Sequence, residues 1–123
     1  MENEHILTAF DDDLNNLQNK IVEMGGLVEK QLLDSIGALL TFDMVAAKEV
    51  VLHDKHIDNL ELEIDEAIMR LLALRSPVAA DLRSIISCTK ISCNLERIGD
   101  YSKNISKRTL AISDTGNLQL MAS

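Results

Sequence analysis

Apolar residues recur in steps of three and four along most of this chain, and this spacing constrains the fold more than any other feature. A period near 3.5 residues predicts α-helices that each carry one apolar face. In the first segment, from about residue 8 to 40, that face consists of Phe10, Leu14, Leu17, Ile21, Met24, Val28 and Leu32. The pattern is interrupted at two places, which predicts three long helices.

The first interruption is at residues 41–43, where Asp43 is suited to cap a second helix that runs to about residue 74. The second is Ser76-Pro77, with serine as N-cap and proline as first residue of a helix that runs to about 111. The apolar face of the second helix comprises Val50, Ile57, Leu60, Ile64, Ile68 and Leu71. That of the third comprises Ile91, Leu95, Ile98, Ser102, Ile105, Thr109 and Ile112. Short connections make neighbouring helices antiparallel, so we expect an all-α, antiparallel up-down-up three-helix bundle over residues 8–112.

The sequence also gives several local predictions along these helices. Thr8 is a reasonable N-cap for the first helix. Gly25-Gly26 indicates either a kink or a close approach of another backbone, and we expect the helix to continue through it. Small residues at every seventh position of the third helix (Ser92, Gly99 and Ser106) allow a close approach, either inside the bundle or at an oligomer face. Residues 114–117 resemble a turn, and residues 117–123 the truncated start of a fourth helix.

Composition narrows the function and the compartment. The chain has 123 residues, 12 basic and 20 acidic, and a net charge of −8. This charge argues against binding to nucleic acid or to anionic lipid, because both depend on clustered Lys and Arg. The N-terminus lacks the basic start and apolar run of a signal peptide, and no apolar stretch is long enough to span a membrane. Cys88 and Cys93 are spaced for neither a disulfide nor a metal site, so we expect a cytoplasmic chain with reduced thiols.

Acidic residues form stripes on two of the predicted helices. The second helix carries one at Asp54, Asp58, Glu61 and Asp65, which we expect to flank the apolar face. The third carries an outward-facing pair, Glu96 and Asp100. Asp58 and Glu96 are equally far from Pro77 in sequence, and so are Asp54 and Asp100, which places the two pairs at one height of an antiparallel hairpin. Such an all-oxygen set suits Mg²⁺, Ca²⁺, Mn²⁺ or iron.

Other interpretations of these residues stay open. From the spacing alone, a solvated acidic face is the default interpretation, because the chain is rich in acids. His53 and His56 are either additional nitrogen ligands or packed side chains. A di-iron enzyme of the ferritin type needs Glu-x-x-His on two bundle helices, and Glu2–His5 is the single match. We therefore do not expect an enzyme.

Four segments together give the chain a family resemblance. They are Met24-Gly25-Gly26-Leu27-Val28-Glu29, Asp54-x-x-Ile57-Asp58-x-x-Glu61-x-x-Ile64-Asp65-Glu66, Ser76-Pro77-Val78-Ala79-Ala80-Asp81-Leu82-Arg83 and Leu95-Glu96-Arg97-Ile98-Gly99-Asp100. In this order and spacing the sequence resembles the PhoU family of bacterial phosphate-signalling proteins. The resemblance covers about residues 8–112, and residues 117–123 would begin a second repeat.

This resemblance implies a cytoplasmic, non-enzymatic negative regulator of phosphate uptake and of the phosphate-starvation response. Its partners would be the ATPase subunit of the phosphate ABC transporter and the phosphate sensor histidine kinase, so that it meets the membrane only through partner proteins. Family members carry acid-x-x-x-Asp motifs that in some of them bind metal clusters. Carried over here, the metal ligands would be Glu96, Asp100, Asp54 and Asp58, the ion Mg, Mn, Fe or Zn, and the chain a homo-oligomer such as a homodimer. The alternatives are a helix-bundle metalloprotein and a plain helical oligomerisation module.

Overall fold

Three long helices make up the described part of the chain, as the apolar spacing predicts. The computed structural model describes residues 2–75 and 77–115, and the side chains of 9–75 and 77–113 among them. Helix α1 spans Glu2–Thr41, α2 spans Met44–Arg75 and α3 spans Ala79–Thr115. Each helix packs against the other two, which confirms the all-α three-helix bundle. Among the described residues, no helix has a segment apolar and long enough to cross a lipid bilayer.

The α1–α2 connection is tight because a single residue reverses the chain. Phe42 has a φ of 52°, in the left-handed region that usually selects glycine. The Asp43 amide donates to the Ala38 carbonyl at 2.9 Å and the Phe42 amide to the Leu39 carbonyl at 3.4 Å, which is a Schellman end for α1. The Asp43 carboxylate then accepts a bond from the Ala46 amide at 3.0 Å, so the predicted cap of α2 is confirmed.

Three predicted helix ends were wrong. Thr8 lies inside α1, because no glycine or proline precedes it to interrupt the helix. Helix α3 begins at Ala79 rather than at Pro77, since the Val78 carbonyl accepts its first bond, from the Leu82 amide at 2.8 Å. It also continues through Asp114 and Thr115, where we expected a turn. The predicted cap Ser76 and the predicted start of a fourth helix at 117–123 lie outside the described residues.

The predicted apolar faces of α1 and α2 form the core. All six predicted apolar residues of α2 are buried. In α1 the face holds from Phe10 to Val28, and beyond it the buried positions shift to Gln31, Ser35 and Ala38. Helix α1 continues through Gly25-Gly26 as expected. The close-approach interpretation of this pair was wrong, because a Cβ at either glycine would meet nothing within 4 Å.

Helix α3 turns to the core a face that agrees with the predicted one only in part. Ile91 and Ile98 are 46% and 38% exposed. The buried residues of α3 are Ile85, Cys88, Ser92, Gly99, Ser102, Ser106 and Thr109. Ser102 and Thr109 among them belong to the predicted face, and the predicted Leu95 packs against the core. A Cβ at Gly99 would lie 3.4 Å from Ile57 Cδ1, so small residues let α3 approach its neighbours closely. The small-residue stripe is therefore internal packing, and hydroxyls such as that of Ser102 bond back to the preceding turn.

Candidate functional site

Three carboxylates converge midway along the α2–α3 pair. One carboxylate oxygen each of Asp58, Glu61 and Glu96 lies within 4.8 Å of the other two. Asp58 and Glu61 are one turn apart on α2, and Glu96 faces them from α3. The proximity of Asp58 and Glu96 agrees with the register predicted from their equal distances to Pro77. We refer to Asp58, Glu61 and Glu96 as the carboxylate cluster.

The surroundings of Asp58 and Glu61 disfavour ionisation of these two carboxyl groups. Desolvation and then repulsion from Asp54 raise the pKa of Asp58, although the Lys103 ammonium acts in the opposite direction. Desolvation and then repulsion from Glu96 raise the pKa of Glu61. A bound cation would relieve this repulsion, and three carboxylates offer the oxygen ligands that hard divalent ions prefer.

Asp54 has a different environment from the one that the stripe predicts. We expected it to flank the core, yet it is 5% exposed. It occupies a position of the α2 buried face, one turn from both Val50 and Ile57. Its Oδ1 accepts a hydrogen bond from Gln31 Nε2 at 2.9 Å, and its Oδ2 pairs with Lys103 Nζ at 3.2 Å. Gln31 Nε2 also donates to the Gly99 carbonyl at 2.9 Å, so this buried network joins all three helices.

Asp100 lies outside the carboxylate cluster. It is exposed, and its Oδ1 lies 3.6 Å from the same Lys103 ammonium that pairs with Asp54. The hydrogen bond to Asp54 and the attraction of the Asp54 carboxylate raise the pKa of Lys103, so the protonated, positively charged form of this lysine is stabilised. Of the four predicted metal ligands, the structure thus brings Asp58 and Glu96 into the cluster and joins Asp54 and Asp100 through a lysine.

The α3 face explains why Glu96 lies nearer the bundle than we expected. We placed it opposite Ile91, Leu95 and Ile98, but the real buried face includes Ser92 and Gly99, one turn before and after it. Glu96 is therefore half-buried rather than outward-facing. The sequence predicts Glu61 as part of the acidic stripe but not as a metal ligand. Its three-residue spacing from Asp58, which puts the two side chains on one side of α2, is the signal that would have identified it as a ligand.

The two candidate histidine ligands lie on another surface. His53 and His56 are exposed, with ring centroids 5.7 Å apart, and they line a groove of about 720 Å³ between α1 and α2. The apolar part of its wall comprises Leu27, Leu33, Ala38, Ala46, Val50 and Ile57. None of the three cluster carboxylates is among the described residues that line it. The histidines thus belong to an amphipathic groove and not to the candidate metal site.

Comparisons with known proteins agree with the all-α fold. Residues 21–109 match the family model of the PhoU domain. Over 116 residues the chain is 40% identical to the phosphate-specific transport system accessory protein PhoU homolog of Rhizobium meliloti, covering 94% of this chain and 49% of the relative. Over 104 residues it is 47% identical to the protein of that name from Zymomonas mobilis, covering 85% of this chain and 44% of the relative.

A solved structure gives the same result for the fold. The crystal structure of PhoU from Pseudomonas aeruginosa superposes with a TM-score of 0.83 at 40% identity, covering 87% of this chain and 51% of the other. The chain therefore spans about half the length of the relatives that it matches.

Proposed function

The chain belongs to the PhoU family, and from this premise we propose that it is a cytoplasmic regulator of phosphate uptake and phosphate-starvation signalling. The observation that carries this proposal is the match of residues 21–109, together with relatives named as accessory proteins of phosphate-specific transport. Those relatives are about twice as long as this chain, so we propose, rather than transfer, their activity for it. We propose that it acts by binding other proteins and not by catalysis.

Its proposed partners are the ATPase subunit of the phosphate ABC transporter and the phosphate sensor histidine kinase, with negative regulation as the outcome. The surface suits protein contact. Leu33 is 62% exposed beside the α1–α2 groove, and Leu52 on α2 is 64% exposed. An acidic chain that carries such apolar surface favours partners with basic, amphipathic segments.

Binding to the two purified partners tests this proposal. Leu33→Asp should weaken binding at least about tenfold, because it places a charge on the apolar wall of the groove. Leu74→Asp is the matched control, since Leu74 is 67% exposed near the other end of α2 and outside the groove. Equal binding by both variants would contradict the groove as the binding site. Absence of binding by the unmutated chain would contradict the proposed partners.

Self-association is a further part of the proposal. The exposed apolar side chains of helix α3 include Ile91, Ile98 and Tyr101, which are 46%, 38% and 59% exposed. Pairing of two copies would bury them and remove apolar area from water. Light scattering after size-exclusion chromatography should give a dimer mass for the unmutated chain and a monomer mass for Ile91→Asp. A monomer mass for the unmutated chain at high concentration contradicts this part.

Cation binding completes the proposal. The carboxylate cluster would hold one divalent or iron-type ion, with Mg, Mn, Fe and Zn as candidates. The donor set fits, because three carboxylates converge, and desolvation and repulsion raise the pKa of two of them, Asp58 and Glu61. Bound to this surface, the ion would neutralise the cluster and hold α2 against α3.

Calorimetry with Mn²⁺ and elemental analysis of the purified chain test this cation site. Glu96→Gln should lower the affinity at least about tenfold, because it removes the charge that α3 contributes. Glu66→Gln is the control, since it neutralises an exposed acid of α2 outside the cluster. Absence of binding to the unmutated chain, or equal loss in both variants, contradicts the cation site.

A further inference from the structure

Lys103 lies between two of the carboxylates that the family motif assigns to metal binding. Its Nζ is 3.2 Å from Asp54 Oδ2 and 3.6 Å from Asp100 Oδ1, and its side chain is 25% exposed. The two acids come from different helices, so the ammonium joins α2 to α3 as a bridging metal ion would. It lies next to the carboxylate cluster, because Asp54, Asp100 and Lys103 all act electrostatically on Asp58.

Both oxygens of Asp54 already have partners. Oδ1 accepts from Gln31 Nε2 at 2.9 Å, and Oδ2 accepts from Lys103. The side chain is 7% exposed, so a cation could reach it only by displacing the lysine. A buried carboxylate requires a counter-charge, and here the chain supplies that charge itself.

We propose that the Lys103 ammonium is a resident cation that takes the place of a metal ion at the Asp54–Asp100 end of the acidic face. The unmutated chain then holds one metal ion, at Asp58, Glu61 and Glu96. Removal of the lysine creates a second metal site, at Asp54 and Asp100. The metal ion at Asp58, Glu61 and Glu96 rests on the proposed function, whereas the site at Asp54 and Asp100 does not.

The alternative is that Lys103 contributes only a structural ion pair. In that case its removal destabilises the bundle whether or not metal is present. If Lys103 replaces a metal ion, a divalent ion instead restores the stability that the variant loses, because either cation neutralises Asp54 and Asp100.

The test compares Lys103→Met with the unmutated chain by Mn²⁺ calorimetry and by thermal unfolding with EDTA or Mn²⁺. In EDTA, Lys103→Met should lower the melting midpoint by about 5–15 °C, since it leaves Asp54 buried without a counter-charge. With Mn²⁺ most of this loss should be recovered. Calorimetry should show about one more bound ion per chain than in the unmutated protein. Adding Asp100→Asn to Lys103→Met should remove the additional ion.

Three further variants keep the test decisive. Lys103→Gln retains a donor to Asp54 without the charge and should gain the same ion even if Lys103→Met fails to fold. Lys103→Arg retains the charge and should gain none. Lys20→Met removes a lysine whose ion pair with Glu63, at 3.7 Å, lies outside the acidic face, and it should also gain none.

The outcomes separate this inference from the proposed function. If the unmutated chain binds no ion and Lys103→Gln binds one, the cation site of the proposed function fails and the role of Lys103 stands. If neither Lys103→Met nor Lys103→Gln gains an ion and Mn²⁺ restores no stability, the inference is overturned. Gain of an ion by Lys20→Met would also overturn it, because the effect would then reflect net charge alone.

Discussion

Gln31 Nε2 donates a hydrogen bond to Asp54 Oδ1 at 2.9 Å in the interior of the bundle, across 23 residues of sequence. The same nitrogen donates to the Gly99 carbonyl, and Asp54 in turn pairs with Lys103. A charged group that is almost fully buried is stable only when its hydrogen-bonding capacity is filled. This pair therefore fixes how the three helices meet beside the candidate cation site.

Removing the buried Gln31 side chain should destabilise the protein. We expect Gln31→Ala to lower the free energy of unfolding by about 2–4 kcal/mol, because it leaves an Asp54 oxygen unpaired and a cavity in the core. Urea unfolding measures the change. Gln18→Ala, on the exposed side of the same helix, should change it by less than about 0.5 kcal/mol. Similar values for both variants would contradict the role given to Gln31.

Two helical glycines should respond oppositely to larger side chains. Gly26→Ala should stabilise the protein by about 0.5–1 kcal/mol, since a Cβ there meets nothing within 4 Å and alanine favours helix. Gly99→Leu should destabilise it by about 1–3 kcal/mol, because a Cβ there already lies 3.4 Å from Ile57 Cδ1. Melting midpoints that shift in the same direction would contradict the packing of α3.

The α1–α2 turn should improve when its strained residue is replaced. Phe42→Gly should raise the free energy of unfolding by about 1 kcal/mol, because glycine adopts the positive φ without steric cost. The loss of a partly exposed aromatic ring offsets some of this gain. Phe42→Ala serves as the control, since it removes the ring and keeps the strain. A glycine variant no more stable than the alanine variant would show that the turn is not strained.

The stability contributed by Asp58 should depend on pH in a direction opposite to that of a salt-bridged carboxylate. Its pKa is raised in the folded protein, so ionisation costs stability above that pKa, and the cost disappears as pH falls to the ordinary range of Asp. In EDTA, Asp58→Asn should be more stable than the unmutated chain by about 0.3–1 kcal/mol at pH 7, allowing for solvent screening of this exposed group. The difference should vanish near pH 3. A difference that grows on acidification would contradict the assigned direction.

The two cysteines should differ in reactivity. Cys88 is buried, and burial raises the pKa of its thiol, whereas Cys93 is exposed. A thiol reagent at pH 8 should label Cys93 at least about tenfold faster than Cys88, because the exposed thiolate is the accessible nucleophile. Mass spectrometry of the labelled peptides measures both rates. Equal rates would contradict the inward orientation of Cys88.

The sequence determined the all-α fold, the three helices of the described residues and the apolar face of α2, because large aliphatic residues at a 3.5-residue period leave little choice of orientation. It also determined the register that brings Asp58 to Glu96, since antiparallel helices on either side of one turn rise equally. Only the tertiary structure decided that Ile91 and Ile98 lie outside the buried face of α3. There, serine, glycine and threonine outweigh Ile91 and Ile98, because close packing of three helices rewards small side chains. The same contacts place Asp54 in the core beside Gln31 and Lys103, and a pattern of charges along one helix carries no information about partners supplied by the other two.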